Sequence, residues 1–200
     1  MSFSLSRFVR PLAASVLALG LLAACAPSEP VFHSTDITGA EYGKSLRLTD
    51  HHGQVRTLDD FKGKVVTIFF GYVQCPDVCP TALSDMSTVV QQLGPDGDKV
   101  QVLFVTVDPE RDSPALLAEY VPVFDKRFLG LHGSPDQIAE VAKDFRVFYR
   151  KSGDLDGHYT IDHSAGTYVF DPQGRLRLYM KHAEEPAKVM ADIKALLAGK

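Results

Sequence analysis

Cysteine is scarce in this 200-residue chain, which has only Cys25, Cys75 and Cys79. Three thiols cannot make the dense disulfide framework that staples small secreted domains. Basic charge is not in excess either. Lys and Arg number 21 against 25 Asp and Glu, a formal net charge of −4, which is a poor match for nucleic acid. There is no internal repeat and no composition shift marking a second domain. No apolar run spans a bilayer comfortably, since the stretch from Pro11 to Ala24 is too short. The remaining composition, 45% hydrophobic and 23% charged, excludes a disordered or fibrous chain and suffices for one sizeable core.

What is present begins with a processing signal. Arg7 and Arg10 precede the apolar stretch, which ends in Leu22-Ala23-Ala24-Cys25. That tetrapeptide resembles the lipobox of bacterial lipoproteins, in which cleavage before the cysteine leaves a lipid on its sulfur. The plainer alternative is a secretory signal that happens to abut a cysteine. The expectation is therefore a signal peptide over 1–24, a lipid on Cys25, a tether over 25–40 and one folded domain over 41–200. Such a chain is exported and held at the periplasmic face of a bacterial membrane. Loss of 1–24 leaves 19 basic and 25 acidic residues, a formal net charge of −6, so acyl chains rather than charge must supply the anchoring.

Along the domain, Ser45–Leu48 and Gln54–Leu58 predict an N-terminal β-hairpin about Asp50-His51-His52-Gly53. Val65–Gly71 is a continuous apolar run, the mark of a strand buried on both faces. It leads through Cys75 and Cys79 to a helix over Pro80–Leu93, with Pro80 suited to a first helical position. Val100–Val107 predicts a second buried strand, and Asp108–Asp112 a polar loop. Ser113-Pro114 and Ser134-Pro135 each open a helix with an N-cap and an N1 proline. Val147–Arg150 reads as extended and Gly153–Gly157 as a loop. Thr167–Phe170 and Leu176–Tyr179 flank an Asp-Pro-Gln-Gly turn, and Glu184-Glu185-Pro186 opens a final helix. This order predicts an α/β domain with a mixed central sheet flanked by helices. A cysteine-bearing turn between the first central strand and a helix is thioredoxin-like organisation.

Three residues separate Cys75 from Cys79. On a helix, i and i+4 share a face, and their Cα atoms lie roughly 6 Å apart. That separation admits a disulfide and equally lets both sulfurs approach one metal ion, so spacing alone leaves redox and metal chemistry open. Thioredoxin chemistry ordinarily has two intervening residues. A helix N-terminus favours the Cys79 thiolate, whereas Asp77 opposes it. His163, in Ile161-Asp162-His163-Ser164-Ala165, stands before a strand among small residues. Two thiolates and one imidazole suit Cu(I) and also hold Cu(II). Zinc accepts the same donors but usually takes a fourth.

Gly71–Pro80, Val105–Pro114 and Asp162–Gly174 together resemble the Sco/SenC family of copper proteins, over a match running from about residue 40 to the end. The resemblance implies a thioredoxin-like fold and a copper site made by Cys75, Cys79 and His163. It also implies delivery of copper to the CuA-bearing subunit of cytochrome c oxidase, or reduction of that centre's cysteines by a thiol–disulfide exchange. A second periplasmic copper chaperone is a further partner to be expected on this resemblance. Asp108-Pro109-Glu110-Arg111-Asp112 also resembles peroxiredoxins, which leaves a peroxidase as an alternative. Val73-Gln74 departs from the threonine and polar residue that many family members carry there, at positions that are not ligands.

Other residues carry weaker signals. His51-His52 reads as a solvated turn rather than a metal site, since adjacent side chains seldom converge. His158 reads as a loop residue rather than an auxiliary ligand, and His33, His132 and His182 as surface residues. Asp162 either supports His163 or bonds a turn. Asp108, Glu110, Arg111 and Asp112 read as loop-forming and partner-facing.

Overall fold

The computed structural model describes residues 32–154 and 158–200, so the expected signal peptide and Cys25 lie outside the described residues. Its central feature is an eight-stranded mixed sheet. The strands are β1 (Thr35–Asp36), β2 (Arg47–Asp50), β3 (Val55–Thr57), β4 (Val65–Gly71), β5 (Val100–Thr106), β6 (Leu129–His132), β9 (Thr167–Phe170) and β10 (Leu176–Met180). Their spatial order is β1-β10-β9-β4-β5-β6-β2-β3. A separate two-stranded sheet pairs β7 (Tyr149–Asp154) with β8 (His158–His163). The helices are α1 (Val78–Gln92), α2 (Pro114–Tyr120), α3 (Pro135–Asp144) and α4 (Pro186–Leu197). The predicted mixed sheet, flanking helices and N-terminal hairpin are all present.

The apolar run of β4 is buried at all seven positions because both neighbours and both faces cover it. β5 lies parallel to β4, with Gly71 opposite Thr106, and β9 lies antiparallel on the other side, with Thr167 opposite Phe69. The C-terminal ends of β4 and β5 and the start of β9 therefore meet at one end of the sheet. Everything placed just after β4, just after β5 and just before β9 converges there.

Hydrogen-bonding side chains close the two hairpins of the main sheet in the same way. Asp50 Oδ1 accepts from the His52 and Gln54 N–H groups, and its Oδ2 from Arg56 Nε at 2.7 Å. Asp171 Oδ1 accepts from Gln173 and Arg175 N–H, and its Oδ2 from Arg175 Nε at 2.7 Å. Gly53 and Gly174 take the positive φ, 85° and 77°, that each turn requires.

The structure corrects several expectations. The fold begins before residue 41: Asp192 of α4 accepts from the His33 and Ser34 N–H groups, and Thr35–Asp36 pairs with β10. Residues 32–40 thus belong to the domain rather than to a tether. The first helix starts at Val78, so Pro80 is its third residue and Asp77 its N-cap. Gly153 and Asp154 continue β7 instead of lying in a loop. His51 is buried rather than solvated, because its Nδ1 accepts from the Gly130 N–H of β6 at 3.0 Å.

Candidate metal centre

Cys75, Cys79 and His163 come together at the convergent end of the sheet, with one donor atom from each lying within 4.8 Å of the others. The two cysteines arrive from the main body. After β4 the chain turns so that the Cys75 N–H donates to the Tyr72 carbonyl, and Cys79 falls in the first turn of α1. Cys79 is fully buried and Cys75 half-buried, and both thiols are free. Gly71 makes room for the deeper sulfur: a Cβ there would sit 2.7 Å from Cys79 Sγ and 2.9 Å from the Phe69 and Phe104 rings. A strand residue with any side chain would displace the thiol.

His163 ends β8, with three residues between it and the start of β9. Its Nε2 lies 3.5 Å from Cys79 Sγ, and its Nδ1 lies 3.0 Å from the Ser164 carbonyl oxygen. A carbonyl oxygen only accepts, so Nδ1 carries the proton and Nε2 turns its lone pair to the sulfurs. The rings of Phe69 and Tyr72 meet the imidazole edge to face at 5.9 and 5.8 Å. Burial holds the His163 pKa below its ordinary value, with the Ser164 carbonyl and Asp162 pulling weakly the other way. A neutral imidazole at neutral pH is the form that binds a metal.

Burial also bears on the question left open at Cys79. It pushes the thiol far up, against a hydrogen bond from the Tyr72 backbone, with further upward pushes from Cys75 and from the charge of Asp112. A partner that binds the thiolate, as a soft metal ion does, favours loss of the Cys79 proton. Two sulfurs and one imidazole nitrogen fit a copper ion, softer than zinc and content with few ligands.

The other sequence candidates fall elsewhere. Asp162 is exposed and pairs across the hairpin with Arg150 at 3.5 Å, so it neither holds the His163 ring nor bonds a turn. His158 begins β8 at its opposite end, about 16 Å along the strand from His163 at the usual rise per residue. His132 is half-buried on β6. The loop after β5 is the main surprise. Asp108 and Asp112 are buried, not partner-facing. Asp112 Oδ2 accepts from the Val73 N–H at 3.0 Å and from Thr106 Oγ1 at 2.6 Å, which anchors the start of the cysteine loop. Five consecutive polar or proline residues give no signal of burial. A pattern search could notice only that two acids flank an arginine there.

Chain-wide comparisons point to one family. The family model described as SCO1/SenC matches residues 34–198. The mitochondrial SCO2 homolog of Bos taurus is 42% identical over 154 residues, covering 76% of this chain, and the chain spans only 58% of that protein's length. A SCO2-like protein of Rickettsia felis is 36% identical over 181 residues, covering 87% of each chain. The solved structure of Bradyrhizobium japonicum ScoI with copper bound superposes with a TM-score of 0.72 at 43% identity, covering 78% of this chain and 99% of that one. The thioredoxin-like architecture, the convergent thiols and imidazole and the family match over almost the whole described domain lead to one conclusion: this chain belongs to the SCO1/SenC family.

Proposed function

We propose that this protein is a copper chaperone that takes one copper ion between Cys75, Cys79 and His163 and serves assembly of the CuA centre of cytochrome c oxidase. The observation that carries this reading is the convergence of the two sulfurs and the imidazole within 4.8 Å, in a domain 43% identical to a ScoI solved with copper. Cys75 and Cys79 would hold the ion as thiolates, and His163 would complete the set through Nε2. The bound ion is cargo, and its chemistry is ligand exchange with another thiol-rich site. The half-exposed Cys75 is the sulfur an incoming thiol of the receiving subunit can reach, while buried Cys79 keeps hold until last. A second periplasmic copper carrier would load the site by the same exchange in reverse.

The same asymmetry favours a second use of the pair. An accessible thiol beside a buried one is the arrangement of a dithiol reductant, in which the first attacks a disulfide and the second resolves it. Cys75 would attack an oxidised CuA pair, forming a mixed disulfide and releasing one thiolate. Cys79 would then displace the other, leaving a Cys75–Cys79 disulfide and two reduced target thiols. A peroxidase has less support: Arg111, the arginine it would need, is engaged by Asp108, Gln74 and Tyr159. The lipobox-like Leu22–Cys25 supports a lipid anchor at Cys25 facing the periplasm, so labelled fatty acid should be incorporated and then lost in Cys25→Ser.

Mixing the copper-loaded, reduced chain with an apo CuA domain tests the main reading. After one-electron oxidation of the mixture with ferricyanide, the purple CuA absorption should develop, as copper leaves the donor. A loaded chain that leaves the apo domain colourless, while free copper salts colour it, overturns the chaperone role. Turnover of the oxidised CuA domain by copper-free chain would instead establish the reductase.

A further inference from the structure

We propose that Arg111 is a positioning residue that holds His163 against the two cysteines, by clamping the β7–β8 hairpin to the main body. The inference rests on the copper site proposed above and goes beyond its three ligands. The need for a clamp follows from topology. β4 and the cysteine loop are built into the eight-stranded sheet, but His163 ends a hairpin that shares no ladder with it. The ladder of the hairpin fixes His163 relative to Tyr149 and to nothing in the main sheet. Other contacts must set its distance from the sulfurs.

Those polar contacts gather on the loop after β5. Tyr159 Oη donates to Asp108 Oδ1 at 2.9 Å, in a buried position. Arg111 Nη1 donates to the Tyr159 carbonyl at 2.9 Å, and the guanidinium stacks on the Tyr159 ring 3.6 Å from its centre. The same Nη1 donates to Gln74 Oε1 at 3.1 Å, next to Cys75 in the chain. Arg111 Nε pairs with Asp108, which fixes the guanidinium plane. At the rim Lys151 Nζ reaches Glu110 at 2.7 Å, but both groups are exposed and such a pair contributes little. Arg111 therefore hydrogen-bonds both halves of the site, the cysteine loop through Gln74 and the histidine hairpin through Tyr159, beside the ring contact that Tyr72 makes with His163. A planar fork with fixed donor directions can join them; a lysine, with one rotatable charge on a flexible stem, cannot reproduce that geometry.

The test is a mutant cycle on the full, reduced chain, read by Cu(I) affinity in competition with a chromophoric chelator. Arg111→Gln should weaken binding about 10–100-fold, the usual cost of losing a group that orients a ligand. In a His163→Ala background it should weaken binding no further, because the ring it positions is gone. Arg111→Lys should not restore the parent affinity. A metal-free arm reads amide hydrogen exchange. In Arg111→Gln the β7–β8 amides should exchange faster while those of β4 and β5 keep the parent rates. Equal losses with and without His163, parent-like affinity in Arg111→Lys, or unchanged hairpin exchange would each overturn the proposal. If Arg111→Gln does not fold, Tyr159→Phe removes one hydroxyl and carries the same expectations at smaller size. A parent chain that binds no copper would defeat the chaperone reading, and the exchange arm would still decide the clamp.

Discussion

The two halves of the metal centre are built on different principles. The cysteine half grows from β4, a strand buried at all seven positions, and its deeper sulfur fills a space kept free by Gly71. The histidine half sits on a two-stranded hairpin apart from the main sheet, polar along β7 and tied down by side chains rather than by a ladder. Burial on both faces fixes the first, whereas the second combines two buried side chains, Tyr159 and Ile161, with a few hydrogen bonds and a stacked guanidinium. A rigid pair of thiols beside a separately anchored imidazole suits a protein that must both grip an ion and give it up. On the copper reading proposed above, the thiols would supply the grip and the imidazole would be the ligand whose position changes most readily. Local stability follows contact density, so the hairpin should open at lower cost than β4.

The largest break in this comparison is expected on the rigid side. Cys79→Ser removes the buried sulfur, and copper binding should fall below detection in a competition assay. Retained tight binding would mean that the deeper sulfur is not a ligand. Next comes His163→Ala, which should leave thiol-held Cu(I) but weaken it beyond the about 10–100-fold that losing a mere supporting group costs. The visible and paramagnetic spectra of the Cu(II) form should change with it, and an unchanged spectrum would remove the imidazole from the site. Gly71→Ala should be smaller and should strike stability as well as copper. Overpacking of this kind costs about 1–3 kcal/mol, so thermal denaturation should shift down by several degrees while the parent fold persists in circular dichroism.

The smallest expected effect on copper is none at all. Asp50 and Asp171 staple hairpins of the main sheet. Burial raises the pKa of each, but hydrogen bonds from backbone N–H groups and from Arg56 or Arg175 outweigh it and hold both below the ordinary carboxylate value. A depressed carboxylate contributes stability that is fully present above its unfolded pKa of about 3.9 and is lost as pH falls through the lower folded value. Stability from these staples should therefore be lost below about pH 4. Asp171→Asn should cost about 1–3 kcal/mol at neutral pH and flatten the acid limb of a denaturation curve. Its copper affinity should equal the parent's, which sets the fold's supports apart from the site's.

The cysteine half is legible in the sequence and the hairpin half only partly so. An uninterrupted apolar run, a glycine and two cysteines ahead of a helix declare β4 and its turn, because burial on both faces writes itself as hydrophobicity. His163 can be picked out by its small neighbours and by family resemblance, 84 residues from Cys79. The hairpin that carries it cannot. Tyr-Arg-Lys-Ser-Gly-Asp makes a strand in β7 through pairing with β8, without an alternating apolar pattern to announce it. Four-residue β6 and two-residue β1 are too short for periodicity to register. Asp108, Asp112 and His51 look like surface groups in the sequence, since polarity ordinarily means exposure. Each is buried with a hydrogen-bond partner, Tyr159, Thr106 or Gly130, that only the fold brings close, while Asp112 Oδ1 has none among the described residues.

The most direct test is a titration of the fully reduced chain with Cu(I), followed by X-ray absorption at the copper edge. The predicted result is saturation at one ion per chain, with two sulfur neighbours and one imidazole nitrogen, and loss of that nitrogen in His163→Ala. Saturation with sulfur neighbours alone, or a nitrogen that survives His163→Ala, would contradict a site shared between the cysteine loop and the hairpin.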